Sequence, residues 1–208
     1  MTETLPLLER LLDVIEHDLA PLTRERVAQG NKIFGAAILR KSDLSLVIAE
    51  TNSETENPLW HGEMHAIKKF YELPRASRPA PADCIFLATH EPCSLCLSGI
   101  TWAGFDNFYY LFSYEDTRDA FGIPHDIRIL REVYAVPDPD RGFVPDDRPL
   151  YNRKNAFFTA HDLQRMIAGL DRSSKERLVE RVDNLSATYN DLSAAYQQDK
   201  DGNAIPLK

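Results

Sequence analysis

The amino-acid sequence predicts a three-layer α/β/α sandwich, built on a central mixed sheet of about five strands and extended by a C-terminal helical segment. Short apolar runs bounded by polar turns, which are typical of strands, alternate with stretches of helical periodicity. The run at residues 84–89 is almost entirely apolar, as expected of a strand that is covered on both faces. Twice, a strand is followed by a loop and the start of a helix, the unit from which layered α/β folds are built.

The first 136 residues contain most of the predicted elements. Residues 4–29 repeat apolar groups at helical spacing on both sides of Pro21, which predicts one helix broken near Pro21 or two short helices. Apolar runs predict strands at 34–39, 44–49, 84–89 and 107–112, with a helix end or short strand at 129–136. Helical patterns predict helices at 61–71 and 93–103.

The predicted domain organisation is a core of residues 1–136 followed by an appended segment of residues 137–208. The segment opens with a stretch rich in Pro and Asp (137–152), which is typical of an extended linker. Helices are predicted at 159–170 and 174–198. The second repeats apolar or aromatic residues at alternating spacings of four and three, which is a heptad seam. This seam suits packing on the same domain, contact with a partner subunit, or a lid.

Composition narrows the classes of protein and partner. The chain of 208 residues carries 24 basic and 32 acidic residues, a net charge of −8, which disfavours a phosphate-binding surface and a nucleic-acid partner. Its three cysteines do not form a disulfide framework, so we expect a reducing compartment and a cytoplasmic location. The sequence has no apolar run of about 18 residues, so no membrane contact is expected.

Two short motifs point to a metal site. His61-Gly62-Glu63 supplies an imidazole and a carboxylate, and Cys93 and Cys96 supply two thiolates at i and i+3. Three such N and S ligands suit a tetrahedral Zn²⁺ whose fourth position stays open, the arrangement of a catalytic zinc. Glu63 is then a carboxylate beside a metal-bound water, where hydrolysis needs a proton carrier. Zn²⁺ is therefore the predicted cofactor.

Two plainer interpretations of these residues compete with a catalytic site. The cysteines and His61 can be ordinary buried side chains, or His65, at i+4 from His61, can close a purely structural zinc site. Neither interpretation assigns a role to the Glu63 carboxylate. A zincin protease is excluded, because Gly62 stands where that motif requires glutamate.

H-x-E followed by P-C-x-x-C is the signature of the zinc-dependent nucleobase deaminases, and residues 31–136 resemble the cytidine and deoxycytidylate deaminase superfamily. The resemblance implies a fold of the cytidine deaminase type, zinc bound by His61, Cys93 and Cys96, and Glu63 as the proton shuttle. It also implies a homodimer or a larger assembly.

The branch of the superfamily is indicated by two further stretches. Residues 93–103 resemble both the guanine deaminases and the tRNA adenosine deaminases, and residues 108–126 resemble the guanine deaminases more. Gly62, in a motif where alanine is commoner, also occurs in fungal-type cytosine deaminases. The resemblance therefore implies hydrolytic deamination of a free nucleobase, nucleoside or related amino-heterocycle, with a guanine-like purine favoured. Zinc-bound hydroxide would attack the ring carbon that bears the amino group.

Five residues are predicted to bind the substrate: Asn52, Trp60, Gly62, Glu91 and Asp116. Asn52 matches a substrate-holding asparagine of the family, and Trp60 can stack on a flat ring. Asp116 is one candidate from a polar segment that also contains Tyr114, Asp119, His125 and Asp126. Two other functions stay open at this point, a tRNA adenosine deaminase and a non-catalytic zinc module.

Overall fold

A five-stranded mixed sheet forms the centre of the structure, a computed structural model that describes residues 4–134, 149–202 and 205. The strands are β1 (Gly35–Arg40), β2 (Leu46–Thr51), β3 (Cys84–His90), β4 (Asn107–Phe112) and β5 (Thr159–Asp162). Their spatial order is β2-β1-β3-β4-β5. The pairs β1–β2 and β1–β3 are antiparallel, whereas β3–β4 and β4–β5 are parallel. The predicted mixed sheet is confirmed.

Helices cover both faces of this sheet. Among the described residues, the α-helices are α1 (Thr4–Val14), α2 (Ala20–Val27), α3 (Gly62–Glu72), α4 (Ser94–Trp102), α5 (Tyr114–Asp119), α6 (His125–Glu132), α7 (Leu163–Ala168) and α8 (Arg172–Asp199). No helix of the described part combines the length and apolarity needed to span a bilayer.

Alternate residues of β1 enter two separate hydrophobic cores, because successive side chains of a strand point to opposite faces. Ala37 and Leu39 pack in the core that contains apolar residues of α1, α2, α7 and α8. Ala36 and Ile38 pack in the core that contains residues of α3 and α4. The sheet therefore lies between two helical layers, and the predicted α/β/α sandwich is confirmed.

The N-terminal helical region is interrupted just before Pro21, as the sequence predicts. A π-helix, Ile15–Leu19, joins α1 to α2, and Pro21 lies in the first turn of α2. Proline has no backbone N–H to donate to the preceding turn, so the helix changes its hydrogen-bond pattern at this point.

The structure decides between the two predictions for 129–136 and corrects one other element. The end of α6 occupies residues 129–132, so the predicted helix end is confirmed and the short strand is not; residues 135 and 136 lie outside the described part. The fifth strand is β5, whose residues the periodicity assigned to the start of a helix. Parallel pairing with residues 107–110 of β4 holds these four residues extended. The helix begins only at α7, where the Asp162 side chain accepts a hydrogen bond from the Arg165 N–H at 3.0 Å.

The long C-terminal helix α8 packs along α1 and α2 of its own chain. Its buried face contains the predicted seam (Leu178, Val182, Leu185, Tyr189, Leu192 and Tyr196) together with Ser193. On its flank, Arg181 pairs with Asp13 at 2.7 Å and with Glu16 at 2.6 Å. Most of the predicted linker, residues 137–148, lies outside the described residues, and the division of the chain at residue 136 stays a prediction.

Candidate active site

Three potential metal donors meet where two helices begin. His61 immediately precedes α3, Cys93 immediately precedes α4, and Cys96 lies in the first turn of α4. The His61 Nδ1 atom is 3.5 Å from Cys93 Sγ and 3.7 Å from Cys96 Sγ, and the two sulfurs are 3.5 Å apart. Both thiols are free of disulfides and buried.

The spacing of these atoms fits a tetrahedral zinc ion. Bonds of about 2.3 Å to sulfur and about 2.0 Å to nitrogen around a tetrahedral centre separate two sulfurs by about 3.8 Å and a nitrogen from a sulfur by about 3.5 Å. The observed separations, 3.5 to 3.7 Å, lie close to these values. His65 is turned away from the cluster, since its Nδ1 atom is 3.0 Å from the Thr51 carbonyl oxygen and 3.2 Å from Glu50.

The three donors shift one another's pKa values. Hydrogen bonds from Cys96 and His61 lower the pKa of the Cys93 thiol well below its usual value, whereas burial raises that of Cys96 well above it. Burial lowers the pKa of His61, but the hydrogen bond and negative charge of Cys93 outweigh it and raise that pKa to about 9. Thiolate and imidazole are the forms that zinc binds, and metal binding displaces their protons.

Glu63 lies beside the three donors on the first turn of α3 and is 5% exposed. Burial and the negative charge of Cys93 raise its pKa to about 7, against the opposing effect of His61. A carboxyl group buried next to potential metal ligands, with no Lys or Arg ion-paired to it among the described residues, can accept and release a proton.

A cavity of about 260 Å³ opens beside the donors. Most of its wall is apolar, and the contributing side chains are Phe34, Pro58, Leu59, Leu95, Ile123, Ile129 and Ile205. The polar part of the wall consists of Lys32, Glu54, His61, Cys93, Ser94, His125 and Asp126. A mostly apolar cavity with a few polar groups suits a small molecule.

Several residues of this wall were missed by sequence reasoning. Lys32 and Phe34 precede β1, Glu54 follows β2, and Ile205 is near the C-terminus, and no local pattern marks any of them. Asp126 was one of several candidates in its segment, and nothing in the sequence separated it from the others. Burial and the negative charge of Cys93 raise its pKa to about 8.

Two of the predicted substrate-binding residues contact residues of the cavity wall rather than the cavity itself. Asn52 is fully buried; its amide group donates to Glu54 at 2.8 Å, and its side-chain oxygen accepts from the Gly62 N–H at 2.6 Å. Gly62 approaches β1 so closely that it has no room for a side chain. Neither residue is part of the cavity wall, and their roles toward a substrate stay predictions.

The other three are also absent from the described residues that line this cavity. Trp60 is half-buried, and the Nζ atom of Lys68 lies 5.9 Å from the centroid of its ring. Asp116 caps α5, accepting from the Ser113 N–H at 2.8 Å. Glu91 is 2% exposed and lines a separate cavity of about 560 Å³, where it accepts from Tyr151. Substrate binding by these three residues also stays a prediction.

The comparisons with known proteins agree with this site. Residues 15–112 match the family described as the cytidine and deoxycytidylate deaminase zinc-binding region, and this span contains β1 to β4 and all three donors. Through this region, the chain is similar to the cytidine and deoxycytidylate deaminases.

Among individual proteins, guanine deaminase of Bacillus subtilis (strain 168) is 32% identical over 88 residues, 42% of this chain and 54% of that enzyme. The chain thus matches about half the length of this relative. A solved structure of a single-residue mutant of NE0047 in complex with 8-azaguanine is 16% identical with a TM-score of 0.51, and the match covers 93% of this chain and 98% of that one. This likeness shows the fold. A structure of guanine deaminase from Nitrosomonas europaea has 18% identity and a TM-score of 0.49 over 85% of this chain and 81% of its own.

Proposed function

We propose that this protein is a zinc-dependent hydrolytic deaminase of a free nucleobase, nucleoside or related amino-heterocycle, with a guanine-like purine as the favoured substrate. The observation that carries the proposal is the donor set of His61, Cys93 and Cys96, spaced for tetrahedral zinc, with the carboxyl of Glu63 beside it. His61 and Cys93 lie on the wall of the largely apolar cavity. The sequence similarity to a guanine deaminase supports the choice of ring.

His61, Cys93 and Cys96 would hold the zinc ion. When bound at such a site, zinc acidifies water and so supplies a nucleophile at neutral pH. Glu63 is the proton carrier: its carboxylate takes a proton from the attacking water, delivers it to a ring nitrogen, and carries a second proton to the departing amino nitrogen, which leaves as ammonia. Its position next to the donors, on the rigid first turn of α3, keeps this short proton path fixed.

The cavity wall favours an uncharged ring. Phe34, Leu59 and Ile129 offer apolar contacts to the faces of a heterocycle, and Asp126 offers a carboxyl group to its N–H edge. Lys32 is the one Lys or Arg among the described wall residues, and Glu54 neutralises it at 2.8 Å. A phosphate group would meet no free Lys or Arg among these wall residues, so the wall suits a base or nucleoside better than a nucleotide or RNA.

A homodimer and a cytoplasmic location complete the proposal. The large side chain of Trp102, at the end of α4, is 90% exposed, which supports a surface that a second subunit covers. Sedimentation of the wild type and of Trp102→Glu tests the dimer: the proposal expects a dimer that the substitution weakens, and a wild-type monomer contradicts it. The three free cysteines support a reducing compartment.

Ammonia release from the zinc-loaded protein tests the reaction. The substrates are guanine, adenine, cytosine, their nucleosides and related amino-heterocycles, each assayed with the wild type and with Glu63→Gln. We expect release from guanine or a close analogue, retained zinc in the variant, and a loss of turnover of at least about 100-fold. Glu115→Gln, on the exposed start of α5, is the matched control and should retain turnover. Equal turnover in Glu63→Gln, or no release from any compound by zinc-loaded wild type, contradicts the proposal.

A further inference from the structure

A buried ion pair forms one wall of the cavity next to the donors. Lys32 Nζ lies 2.8 Å from Glu54 Oε1, and the two side chains are only 6% and 2% exposed. Burying two charges is costly, and a buried pair often stabilises a fold no better than apolar residues of similar volume. The position of this pair, on the wall beside His61, indicates a role in the site rather than in stability.

Glu54 is fixed by several hydrogen bonds. Its Oε1 atom accepts from Lys32 Nζ, and its Oε2 atom accepts from Asn52 Nδ2 at 2.8 Å and from the Lys32 backbone N–H at 3.3 Å. The same Asn52 side chain accepts from the Gly62 N–H at 2.6 Å. One network therefore holds both the carboxylate and the residue that follows His61.

The fixed carboxylate faces the outer nitrogen of His61. Nδ1 of this ring is directed at the two thiols, and Nε2, on the other side, is 3.8 Å from Glu54 Oε1. A hydrogen bond needs a separation of about 2.7–3.2 Å, so a movement of about 1 Å closes the contact. Metal-binding histidines generally donate their second N–H to a carboxylate, a carbonyl or water, which fixes the tautomer and the ring orientation.

We propose that Glu54, held in place by Lys32 and Asn52, is the positioning residue that orients His61 for zinc and strengthens metal binding. The proposal rests on the zinc site put forward above. Glu54 contributes its Oε1 atom as the acceptor for the His61 Nε2–H, which leaves Nδ1 unprotonated and directed at the metal. Lys32, whose Nζ atom donates to Oε1 at 2.8 Å, holds this carboxylate in place beside the imidazole.

Zinc affinity, measured by competition with a chromogenic chelator, tests the proposal. The variant Glu54→Gln keeps the shape and removes the charge, and Lys32→Met/Glu54→Leu removes the whole pair without leaving a charge unpaired. Glu50→Gln is the matched control, because Glu50 pairs at 3.2 Å with His65, one turn further along α3. Thermal melting of the zinc-free proteins measures folding separately, and Co²⁺ absorption measures the ligand set.

We expect both Glu54 variants to bind zinc about 10- to 100-fold more weakly than wild type, the range found for such outer carboxylates. Without zinc, the double variant should melt at the same temperature as the wild type. Glu50→Gln should bind zinc as tightly as the wild type does. Unchanged affinity in the Glu54 variants, or an equal loss in Glu50→Gln, overturns the positioning role while leaving the zinc site intact. A wild-type chain without zinc affinity overturns both proposals.

Discussion

A Cβ atom on Gly62 would stand 2.8 Å from the carbonyl oxygen of Phe34 and 2.9 Å from the Cα atom of Gly35. The start of α3 therefore touches the backbone at the start of β1, and glycine is the residue that permits this contact. Since His61 directly precedes Gly62, the close approach of these two elements also fixes where the imidazole lies.

Gly62→Ala is expected to destabilise the fold by about 1–3 kcal/mol, because both crowded neighbours are backbone and cannot rotate away. Urea denaturation of the zinc-free protein measures the change. Gly169→Ala is the control, since a Cβ there would meet only ordinary contacts, the nearest at 3.5 Å, and should change the stability by no more than about 0.5 kcal/mol. Equal stability of Gly62→Ala and wild type would show that α3 shifts freely.

Zinc is expected to stabilise the wild-type fold through its three donors. At a free zinc concentration about 100 times the dissociation constant, the free energy of unfolding should rise by about 2.7 kcal/mol. Cys96→Ser should abolish this gain, because it removes one of three ligands. Cys84→Ala should retain it, since Cys84 is a core thiol of β3 that bonds to the Ala80 carbonyl. Melting curves with zinc and with chelator give the answer, and a persistent gain in Cys96→Ser would contradict the assignment.

Glu91 and Tyr151 are expected to be energetically coupled. The Tyr151 hydroxyl donates to Glu91 Oε1 at 2.6 Å, and this contact joins the turn before Cys93 to the segment that leads into β5. A double-mutant cycle with Glu91→Gln and Tyr151→Phe should give a coupling energy of about 1–2 kcal/mol. In the control cycle, Tyr71→Phe removes a 2.7 Å bond to the Ala103 carbonyl and should be additive with Glu91→Gln. Additivity in both cycles would show that the contact between Tyr151 and Glu91 contributes nothing to the free energy of unfolding.

Burial of His90 is expected to make stability depend on pH. Burial lowers the pKa of this histidine from 6.5 to about 3. Between these values the unfolded chain binds a proton that the folded chain does not, so His90 does not lower the free energy of unfolding above pH 6.5. Below that pH, the free energy of unfolding falls by about 1.4 kcal/mol per pH unit as the pH approaches about 3. His90→Gln should flatten the profile by this slope between about pH 4 and 6. Denaturation is measured with chelator present, so that zinc release does not contribute, and parallel profiles would contradict the prediction.

The strands and helices around the donors were predictable because each depends on a local pattern. Residues 84–89 are apolar on both faces of β3, and the seam of α8 follows a heptad spacing, so neither needs knowledge of its neighbours. The strand β5 was not predictable. Its sequence, Thr-Ala-His-Asp, carries no alternation of apolar residues, and it is extended only because β4 pairs with it.

The sequence by itself determined which residues are the candidates for metal donors and proton carrier. His61, Glu63, Cys93 and Cys96 occur in two short motifs at helix starts, and their chemistry depends on residue type and close spacing. Only the tertiary structure decided what surrounds them. Lys32, Asp126 and Ile205 come from distant parts of the chain, and they share one wall because packing on the sheet brings their elements together. No local pattern encodes such a contact, since it results from burial of apolar surface over the whole domain.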